Sequence, residues 1–263
     1  MGTRTEHPPG TFCWVNHSTP DLAGATSYYG ALFGWEFEDR TNGGEGFWMA
    51  RRHGTNVAAL YPREEQERAQ GLPPHWNNYV SVADTDIFAA RAVELGGTVA
   101  EGPFDVSDAG RTAVLIDPTG AMFWIWQPRA HIGAGRVNDP GCLVWNELSV
   151  ADPERALAFY SRLFGWTFER HDLAHGGAYW VISNPGSGRN GGVREVATGD
   201  APDSARAWIP YFAVESVDVT AAAATAAGSE VHRGPGRPDA DALARIEDPT
   251  GAVHGLYQGP VDT

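Results

Sequence analysis

The chain has 263 residues, which is enough for two ordinary domains, each with its own hydrophobic core. Its 42% hydrophobic and 20% charged content is typical of a folded protein, and no apolar run approaches the roughly 18 residues that a membrane span needs. A formal net charge of −14 argues against nucleic acid and anionic membranes as partners, because both are bound by basic faces. The charge is compatible with simple solubility or with attraction of cationic small molecules.

The N-terminal residues and the two cysteines say little about function. The first ten residues contain no apolar stretch, so they predict a short disordered tail and not a signal peptide. Cys13 and Cys142 occupy unmatched positions in the two halves and are too few for a disulfide framework. Reduced thiols and a cytoplasmic location are therefore expected.

A βαβββ order is predicted for the first sixty residues. Residues 11–18 are rich in strand formers, Asp21 begins an amphipathic helix that Gly34 ends, and a turn is expected at Asn42-Gly43-Gly44. The order recurs three times, with linkers predicted at 62–75, 128–141 and 198–206. Four modules are thus expected, at about 11–61, 76–127, 142–197 and 207–258.

Two stretches repeat at a shift of 131 residues. Residues 14–38 and 145–169 share the tail LFGW-x-FE, so Trp35 matches Trp166, and both are predicted to pack inside their modules. The turn sequence Asp-Pro-Thr-Gly-Ala occurs at 117–121 and again at 248–252. A period of about half the chain indicates a duplicated domain and not a solenoid. The two domains are predicted to span 11–127 and 142–258.

This pattern resembles the vicinal-oxygen-chelate superfamily of glyoxalase I, bleomycin-resistance proteins and extradiol dioxygenases, and within it the two-domain actinobacterial members described as glyoxalase-like or hydroxylase-type. The resemblance rests on the strand–Asp–helix–LFGW stretch of each half and on the Asp-Pro-Thr-Gly turn before each domain's last strand, and it covers roughly 11–258. It implies an α+β fold in which two βαβββ modules form an open eight-stranded cup around a ligand. Four modules imply two cups. Pairing of consecutive modules is the simplest arrangement, exchanged pairing stays open, and the chain could be a monomer or a homodimer.

The resemblance also implies where metal ligands would lie. Metal-using relatives take a His from a module's first strand, seven residues before the helix-opening Asp, and a Glu from the last strand, four residues after the turn glycine. None of the six corresponding residues here is His, Glu or Asp, and a divalent metal needs imidazole, carboxylate or thiolate ligands. We therefore expect neither a metal nor another cofactor. The six residues are Trp14, Asn77, Trp124, Trp145, Ile209 and Gly255.

Aromatic residues take several of these places, and strand alternation adds further residues to the same faces. Indole rings stack on planar or cationic ligands. Trp124 and Trp126 are the strongest candidates, because their partners in the second half are Gly255 and Tyr257. The residues predicted to bind a ligand are Trp14, Asn16, Asn77, Tyr79, Met122, Trp124, Trp126, Trp145, Tyr211 and Tyr257.

One ionisable side chain stands out in the second cup. Glu147 takes the place of Asn16 and lies two residues after Trp145. A carboxylate there could act as a general base, could bind a ligand cation, or could simply be hydrogen-bonded. His17 and His254 alternate with the cup residues, so both are predicted to face the helices.

Three functions follow as alternatives. The first is a protein that binds a planar or cationic small molecule, such as a metabolite or an antibiotic, in an aromatic cup without metal. The second is a metal-independent enzyme of secondary metabolism, hydroxylase- or lyase-like, that acts on an aromatic substrate with Glu147 as its catalytic acid–base group. The third is a metal-dependent lyase or dioxygenase, which would need ligands from other positions.

Overall fold

The computed structural model describes residues 2–40, 46–69, 71–173, 177–196, 208–232 and 240–260, without the side chain of Gln66. The turn predicted at Asn42-Gly43-Gly44 and the linker predicted at 198–206 lie outside these residues. Of the described helices, none is both long enough and apolar enough to cross a membrane.

The described part of the first half forms one open sheet with three helices. The elements are β1 (Phe12–Thr19), α1 (Leu22–Phe33), β2 (Glu36–Asp39), β3 (Trp48–Arg52), β4 (Thr55–Pro62), α2 (Glu65–Ala69), β5 (His75–Ser81), α3 (Thr85–Glu94), β6 (Thr98–Val106), β7 (Gly110–Ile116) and β8 (Met122–Pro128). The strand order is β2-β3-β4-β1-β5-β8-β7-β6. At the centre, β1 and β5 are antiparallel, while β1 runs parallel to β4 and β5 parallel to β8.

The second half repeats this plan with two described helices. The elements are β9 (Leu143–Val150), α4 (Pro153–Phe164), β10 (Thr167–Asp172), β11 (Ala178–Asn184), β12 (Gly188–Glu195), β13 (Trp208–Ala213), α5 (Val217–Ala226), β14 (Glu230–His232), β15 (Ala242–Glu247) and β16 (Val253–Gln258). Their order, β10-β11-β12-β9-β13-β16-β15-β14, matches that of the first sheet strand for strand. Each sheet therefore contains two consecutive βαβββ units.

The first helix of each half begins and ends where the sequence predicts. The side chain of Asp21 accepts a hydrogen bond from the backbone N–H of Gly24 at 2.9 Å, and Asp152 caps α4 in the same way. Such caps satisfy N–H groups that have no partner within the helix. Gly34 and Gly165 end the two helices with φ of 65° and 77°, a left-handed conformation that glycine adopts without steric cost.

Two segments differ from their predictions. The stretch 62–75 is not only a linker, because Glu65–Ala69 forms the short helix α2 from residues with high helix propensity. The N-terminal segment is not a disordered tail. Thr3 forms a backbone bridge with Arg136, and His7 is buried with its Nε2 atom 2.8 Å from the carbonyl oxygen of Ala134.

The four long helices, α1, α3, α4 and α5, lie between the two sheets. Helix α1 contacts α5, and α3 contacts α4, so the first and last modules share one apolar cluster and the two middle modules share another. Trp35 and Trp166 lie in these clusters, with their indole N–H groups bonded to the carbonyl oxygens of Gly141 and Gly10. Their predicted role as packing residues is confirmed.

The repeated Asp-Pro-Thr-Gly turn has a structural role. Oδ1 of Asp248 accepts hydrogen bonds from the backbone N–H and the hydroxyl of Thr250 and from the backbone N–H of Ala252. Asp117 makes the three equivalent bonds in the first half. A single carboxylate oxygen thus closes the turn before each domain's last strand.

A buried polar cluster joins the first module to the last. Tyr29 donates a 2.7 Å hydrogen bond to Oδ2 of Asp248 and accepts one from Nε1 of Trp76 at 3.3 Å. His17 Nε2 lies 3.5 Å from the same carboxylate oxygen, and the ring of His254 packs against Tyr29. Both imidazoles are fully buried on the helix side, as alternation predicts, and their ring nitrogens lack hydrogen-bond partners among the described residues. Burial lowers the pKa of His17 to about 4 and that of His254 to about 3.

Candidate functional site

Each sheet carries a second cluster of side chains on the face turned away from the four long helices. We call these faces the first cup and the second cup. The first cup is lined by Trp14, Asn16, Tyr61, Asn77, Tyr79, Met122, Trp124 and Trp126, and the second by Trp145, Glu147, Tyr179, Arg194, Ile209, Tyr211, Arg245 and Tyr257. Both faces are formed by alternate residues of the central strands.

The strand register brings the metal-ligand positions predicted on the first and last strands of each domain to either side of a tyrosine. This tyrosine lies two residues after the position predicted on the intervening strand, Asn77 or Ile209. In the first cup Trp14 lies opposite Tyr79, which lies opposite Trp124. In the second cup Trp145 lies opposite Tyr211, which lies opposite Gly255.

These residues do not fit a metal. Indole and phenol rings occupy the centre of both faces, and a Cβ atom added at Gly255 would lie 2.0 Å from the ring of Tyr211. The last strand therefore has no room for a ligating side chain at that position. On the other flank, a Cβ atom at Gly192 would lie 2.1 Å from the hydroxyl of Tyr179.

Replacing Gly255 by Ala is expected to lower the free energy of unfolding by about 1–3 kcal/mol, because the new methyl group must displace the ring of Tyr211 in a packed cluster. Thermal unfolding monitored by near-ultraviolet circular dichroism would measure this loss. Gly186→Ala is the matched control, since its Cβ atom would meet its nearest neighbour at an ordinary 3.5 Å. Equal stability of the two variants would contradict the close packing of Tyr211 on Gly255.

Among the described residues, one group of acidic and imidazole side chains has ligand atoms close together. Those of Glu230, His232 and Glu247 lie within 4.8 Å of one another. They stand on β14 and β15 at the edge of the second sheet, away from the family's position, and two of the three are exposed.

A chain of hydrogen bonds crosses the floor of the first cup. The Asn16 amide donates to the hydroxyl of Tyr79 at 2.9 Å and accepts from the Asn77 amide at 2.9 Å. Asn77 also donates to the hydroxyl of Tyr61 at 2.8 Å, which in turn donates to Glu67 at 3.0 Å. Two of the predicted ligand-binding residues, Asn16 and Asn77, thus orient their neighbours.

Helix α2 lies at one end of this series of hydrogen bonds. Glu67 accepts a 2.7 Å hydrogen bond from the hydroxyl of Ser18, and its other oxygen lies 3.7 Å from Nε2 of His75. No pattern in the sequence indicated this contact. The segment is short, polar and bounded by prolines, so it has no periodicity from which the orientation of its side chains could be predicted.

Two hydrogen-bond donors in the first cup are left without an acceptor in the described part of the chain. Nε1 of Trp124 is buried and has no partner, although the indole as a whole is only half-buried. Tyr79 accepts a bond from Asn16, but its own proton has no acceptor there. The two rings lie 5.0 Å apart. Burial raises the pKa of Tyr79, so its hydroxyl stays protonated and remains a donor.

The other two tryptophans of the first cup are covered. The segment after β8 places His131 edge-on against Trp14 at 4.7 Å, and its carbonyl oxygen accepts a hydrogen bond from Nε1 of Trp126. The ring of Trp126 also covers Gly110, where a Cβ atom would be only 2.4 Å away. Trp14 and Trp126 are therefore buried, and the indole N–H of Trp126 has an acceptor, in contrast to that of Trp124. Burial lowers the pKa of His131 to about 4.

Charged side chains distinguish the second cup. The side chain of Glu147 is only 1% exposed, and its Oε1 atom accepts hydrogen bonds from Arg245 and, at 3.3 Å, from the hydroxyl of Tyr211. Arg194 lies 3.7 Å from the same oxygen. Ser149 accepts hydrogen bonds from Arg245 at 2.9 Å and from Arg194 at 3.4 Å. Burial, with the Glu147 charge, raises the pKa of Tyr211 to about 12.

The remaining predicted residues lie where alternation places them. Met122 is half-buried in the first cup, whereas Trp145 and Tyr257 are almost fully buried in the second. Nε1 of Trp145 donates to the hydroxyl of Tyr179 at 2.8 Å. The sequence analysis did not predict the two arginines of the second cup. Arg194 and Arg245 face Glu147, but their strands contain no metal-ligand position of the family, so alternation was not applied to those strands.

Comparison with known proteins agrees with this architecture. A model of the "Glyoxalase/Bleomycin resistance protein/Dioxygenase superfamily" matches residues 12–125 and 142–253. The chain belongs to this superfamily, and the α+β fold with two such domains, each with an open eight-stranded sheet, is confirmed.

Two relatives show the range of names in the family. The chain is 40% identical over 261 residues to "Putative glyoxylase CFP32" of Mycobacterium tuberculosis, covering 98% of both chains. It is 28% identical over 259 residues to "Anthracycline biosynthesis protein DauV" of Streptomyces sp. strain C5, covering 94% of this chain and 93% of the relative.

Solved structures share the fold at low sequence identity. An Mn(II)-bound glyoxalase from Novosphingobium aromaticivorans aligns with a TM-score of 0.61 at 14% identity, over 98% of this chain and 83% of that one. A catechol 2,3-dioxygenase aligns with a TM-score of 0.63 at 15% identity, over 98% and 95% of the two chains. At this identity the likeness concerns the fold alone.

Proposed function

We propose that the protein binds a planar aromatic small molecule in the first cup without a metal, and that the ligand carries a carbonyl or hydroxyl oxygen. The observation that carries this proposal is the pair formed by Trp124 and Tyr79. It combines a half-buried indole face with two donors that lack an acceptor among the described residues.

The chemistry of the pair suits such a ligand. A planar ring can stack on the indole of Trp124, a contact that adds about 0.5–1.5 kcal/mol to the burial of apolar area. An oxygen on that ring can then accept hydrogen bonds from Tyr79 and from Nε1 of Trp124, which would satisfy two buried donors at once. Neutral donors thus take the place that a metal has in metal-using relatives.

The name of one relative also favours an aromatic ligand. DauV is described as an anthracycline biosynthesis protein, and anthracyclines are planar polycyclic aromatic molecules with carbonyl and hydroxyl oxygens. CFP32 is more similar to this chain and is named as a glyoxylase. We take the aromatic ligand as the better proposal because the first cup offers ring faces and neutral donors at the position of the metal ligands.

Replacing Trp124 by Leu is expected to weaken binding of an uncharged dihydroxyanthraquinone by about tenfold or more, because the stacking face and one donor are both lost. Quenching of tryptophan fluorescence, titrated at constant salt, measures this affinity. Trp48→Leu is the control, since Trp48 is also half-buried in the first sheet but lies on its helix side. No binding to the unmodified protein, or equal affinity in both variants, would overturn the proposal.

Tyr79→Phe separates the hydrogen bond from the stacking. We expect affinity for the anthraquinone to fall by about tenfold while affinity for anthracene, which has no oxygen, stays unchanged. Equal loss for both probes would show that Tyr79 acts through packing and not through its hydroxyl.

A metal-independent enzyme acting on an aromatic substrate is the alternative. Its proposed acid–base group, Glu147, lies in the second cup. One carboxylate oxygen is already bound by Arg245, and the other is buried with no hydrogen-bond partner in the described part of the chain. Glu147→Gln tests this alternative: loss of turnover with retained ligand binding would support an enzyme. The ion pair with Arg245 makes us favour binding over catalysis.

A further inference from the structure

The second cup has an excess of positive charge in a protein whose formal net charge is −14. Arg194 and Arg245 project from β12 and β15 toward Ser149 and Glu147. Two guanidinium groups therefore face one carboxylate, and both share Ser149 as an acceptor. The net charge of the cluster is +1, opposite in sign to the charge of the whole chain.

Arg194 is poorly satisfied in this cluster. A guanidinium has five donors, yet in the described part of the chain the hydrogen bonds of Arg194 amount to one of 3.4 Å, and its Nε atom is buried without a partner. Burial, and then the neighbouring Arg245 charge, lower the pKa of Arg194. Two like charges held together in this way are stabilised by an anion placed between them.

Solvent reaches the arginine side chains of the cluster but not its carboxylate. The side chain of Glu147 is 1% exposed, whereas those of Arg194 and Arg245 are 19% and 23% exposed. The carboxylate is thus closed to solvent, and the two arginine side chains are the part of the cluster that a ligand can contact. Tyr211 and Tyr179 pack beside the carboxylate, so the surroundings are aromatic and of low dielectric.

We propose that the second cup is a binding site for a small oxyanion, a carboxylate or phosphate group, held between Arg194 and Arg245. Guanidinium groups bind such groups through paired N–H donors, and these charge-assisted bonds are about twice as strong as neutral ones. Glu147 holds Arg245 in position but repels the ligand, which sets the affinity. The site is independent of the proposed aromatic ligand, because it lies in the other domain and uses other residues.

The probes are benzoate, inorganic phosphate and benzyltrimethylammonium, each added to the full-length protein in a buffer without other oxyanions and at constant ionic strength. Affinity is measured by isothermal titration calorimetry and by the rise in melting temperature. We expect benzoate or phosphate to bind and the ammonium probe not to bind. Which anion binds more tightly distinguishes a carboxylate site from a phosphate site.

Three substitutions test the geometry. Arg194→Gln should weaken binding of the anion by about tenfold or more, and Glu147→Gln should strengthen it, because one removes an attractive charge and the other a repulsive one. Arg170→Gln is the matched control on the same sheet, since Arg170 pairs with Asp172 at the surface. Should Glu147→Gln fail to fold, the unmodified protein should still bind the anion more weakly as salt increases.

The proposal would be overturned by any of three results. These are no binding of either anion, binding that Arg194→Gln and Arg170→Gln reduce equally, and preferential binding of the ammonium probe. The last result would instead assign Glu147 to a ligand cation.

Discussion

Replacing His17 by Leu together with His254 by Phe is expected to protect the protein against acid. The free energy of unfolding of the unmodified protein should fall steeply between pH 6.5 and pH 4, whereas that of the double variant should fall less. At pH 4 the difference is expected to reach about 3 kcal/mol for each histidine replaced. Urea titrations at pH 7, 5.5 and 4 would measure it.

The sign follows from proton binding in the two states. Burial lowers the pKa of His17 to about 4 and that of His254 to about 3, against an ordinary value of 6.5, and the Asp248 charge only partly opposes this effect. As pH falls through 6.5 the unfolded chain binds two protons that the folded chain cannot bind. Unfolding is therefore favoured in this window, and the stabilisation is complete only above pH 6.5.

The substitutions are suggested by the protein's own duplication. The residues 131 positions away from His17 and His254 are Leu148 and Phe123, and both are buried in the equivalent cluster of the other half. The new side chains therefore already occur at the equivalent positions of the other half. His232→Leu, at an exposed histidine, is the control and should leave the pH dependence unchanged. Parallel curves for the double variant and the unmodified protein would contradict the prediction.

Replacing Tyr29 by Phe should lower the free energy of unfolding by about 3 kcal/mol. The change leaves the ring in place, so its effect comes from the hydroxyl. That group donates at 2.7 Å to Asp248 and accepts from Trp76. Removing it costs a hydrogen bond to a charged group and leaves a buried carboxylate oxygen without that donor. Urea titration at pH 7.5, above the range in which the histidines titrate, gives the value.

Tyr28→Phe provides the comparison on the same helix. The hydroxyl of Tyr28 accepts a 2.8 Å hydrogen bond from Ser229, a neutral partner, and the expected cost is about 1 kcal/mol. If the two variants lost equal stability, the bond between Tyr29 and Asp248 would not have the strength of a charge-assisted one. The contact matters for the whole chain, because it joins the first module to the last.

The two halves differ in the chemistry of their cups. Both halves contain the capping aspartates, the LFGW sequence at the end of the first helix and the Asp-Pro-Thr-Gly turn. These residues cap the helices and form the turns in the same way in each half. The first cup has amides, phenols and tryptophans, whereas the second has two arginines and a glutamate. A duplicated scaffold therefore supports two faces with different chemistry, one suited to neutral aromatic rings and the other to an oxyanion.

The fold could be predicted from sequence because its signals are local. Capping residues, turn glycines and strand alternation act over fewer than ten residues, and the internal repeat supplied the domain organisation. Strand alternation placed Trp124, Glu147, His17 and His254 on the faces that they occupy, whereas the metal-ligand positions, which hold no His, Glu or Asp, were located by the resemblance to the family.

The hydrogen-bond and charge partners of the site could not be predicted in this way. Glu67 reaches the first cup from a segment that gave no strand or helix signal, and His131 reaches it from a linker. Nothing local showed that the N–H of Trp126 would bond a carbonyl oxygen while that of Trp124 would find no acceptor among the described residues. These contacts join residues that are distant in sequence, so they exist only once the chain has folded.

The sequence alone determined the modules, their order, the duplicated plan and the absence of the family's metal ligands, because each depends on residue type and spacing. Only the tertiary structure decided that α1 packs on α5, that Asp248 meets Tyr29, and that Arg194 and Arg245 surround Glu147. The physical reason is that packing and electrostatics depend on distances in space. Side chains on strands that become neighbours through folding set the charge and the hydrogen bonding of each cup.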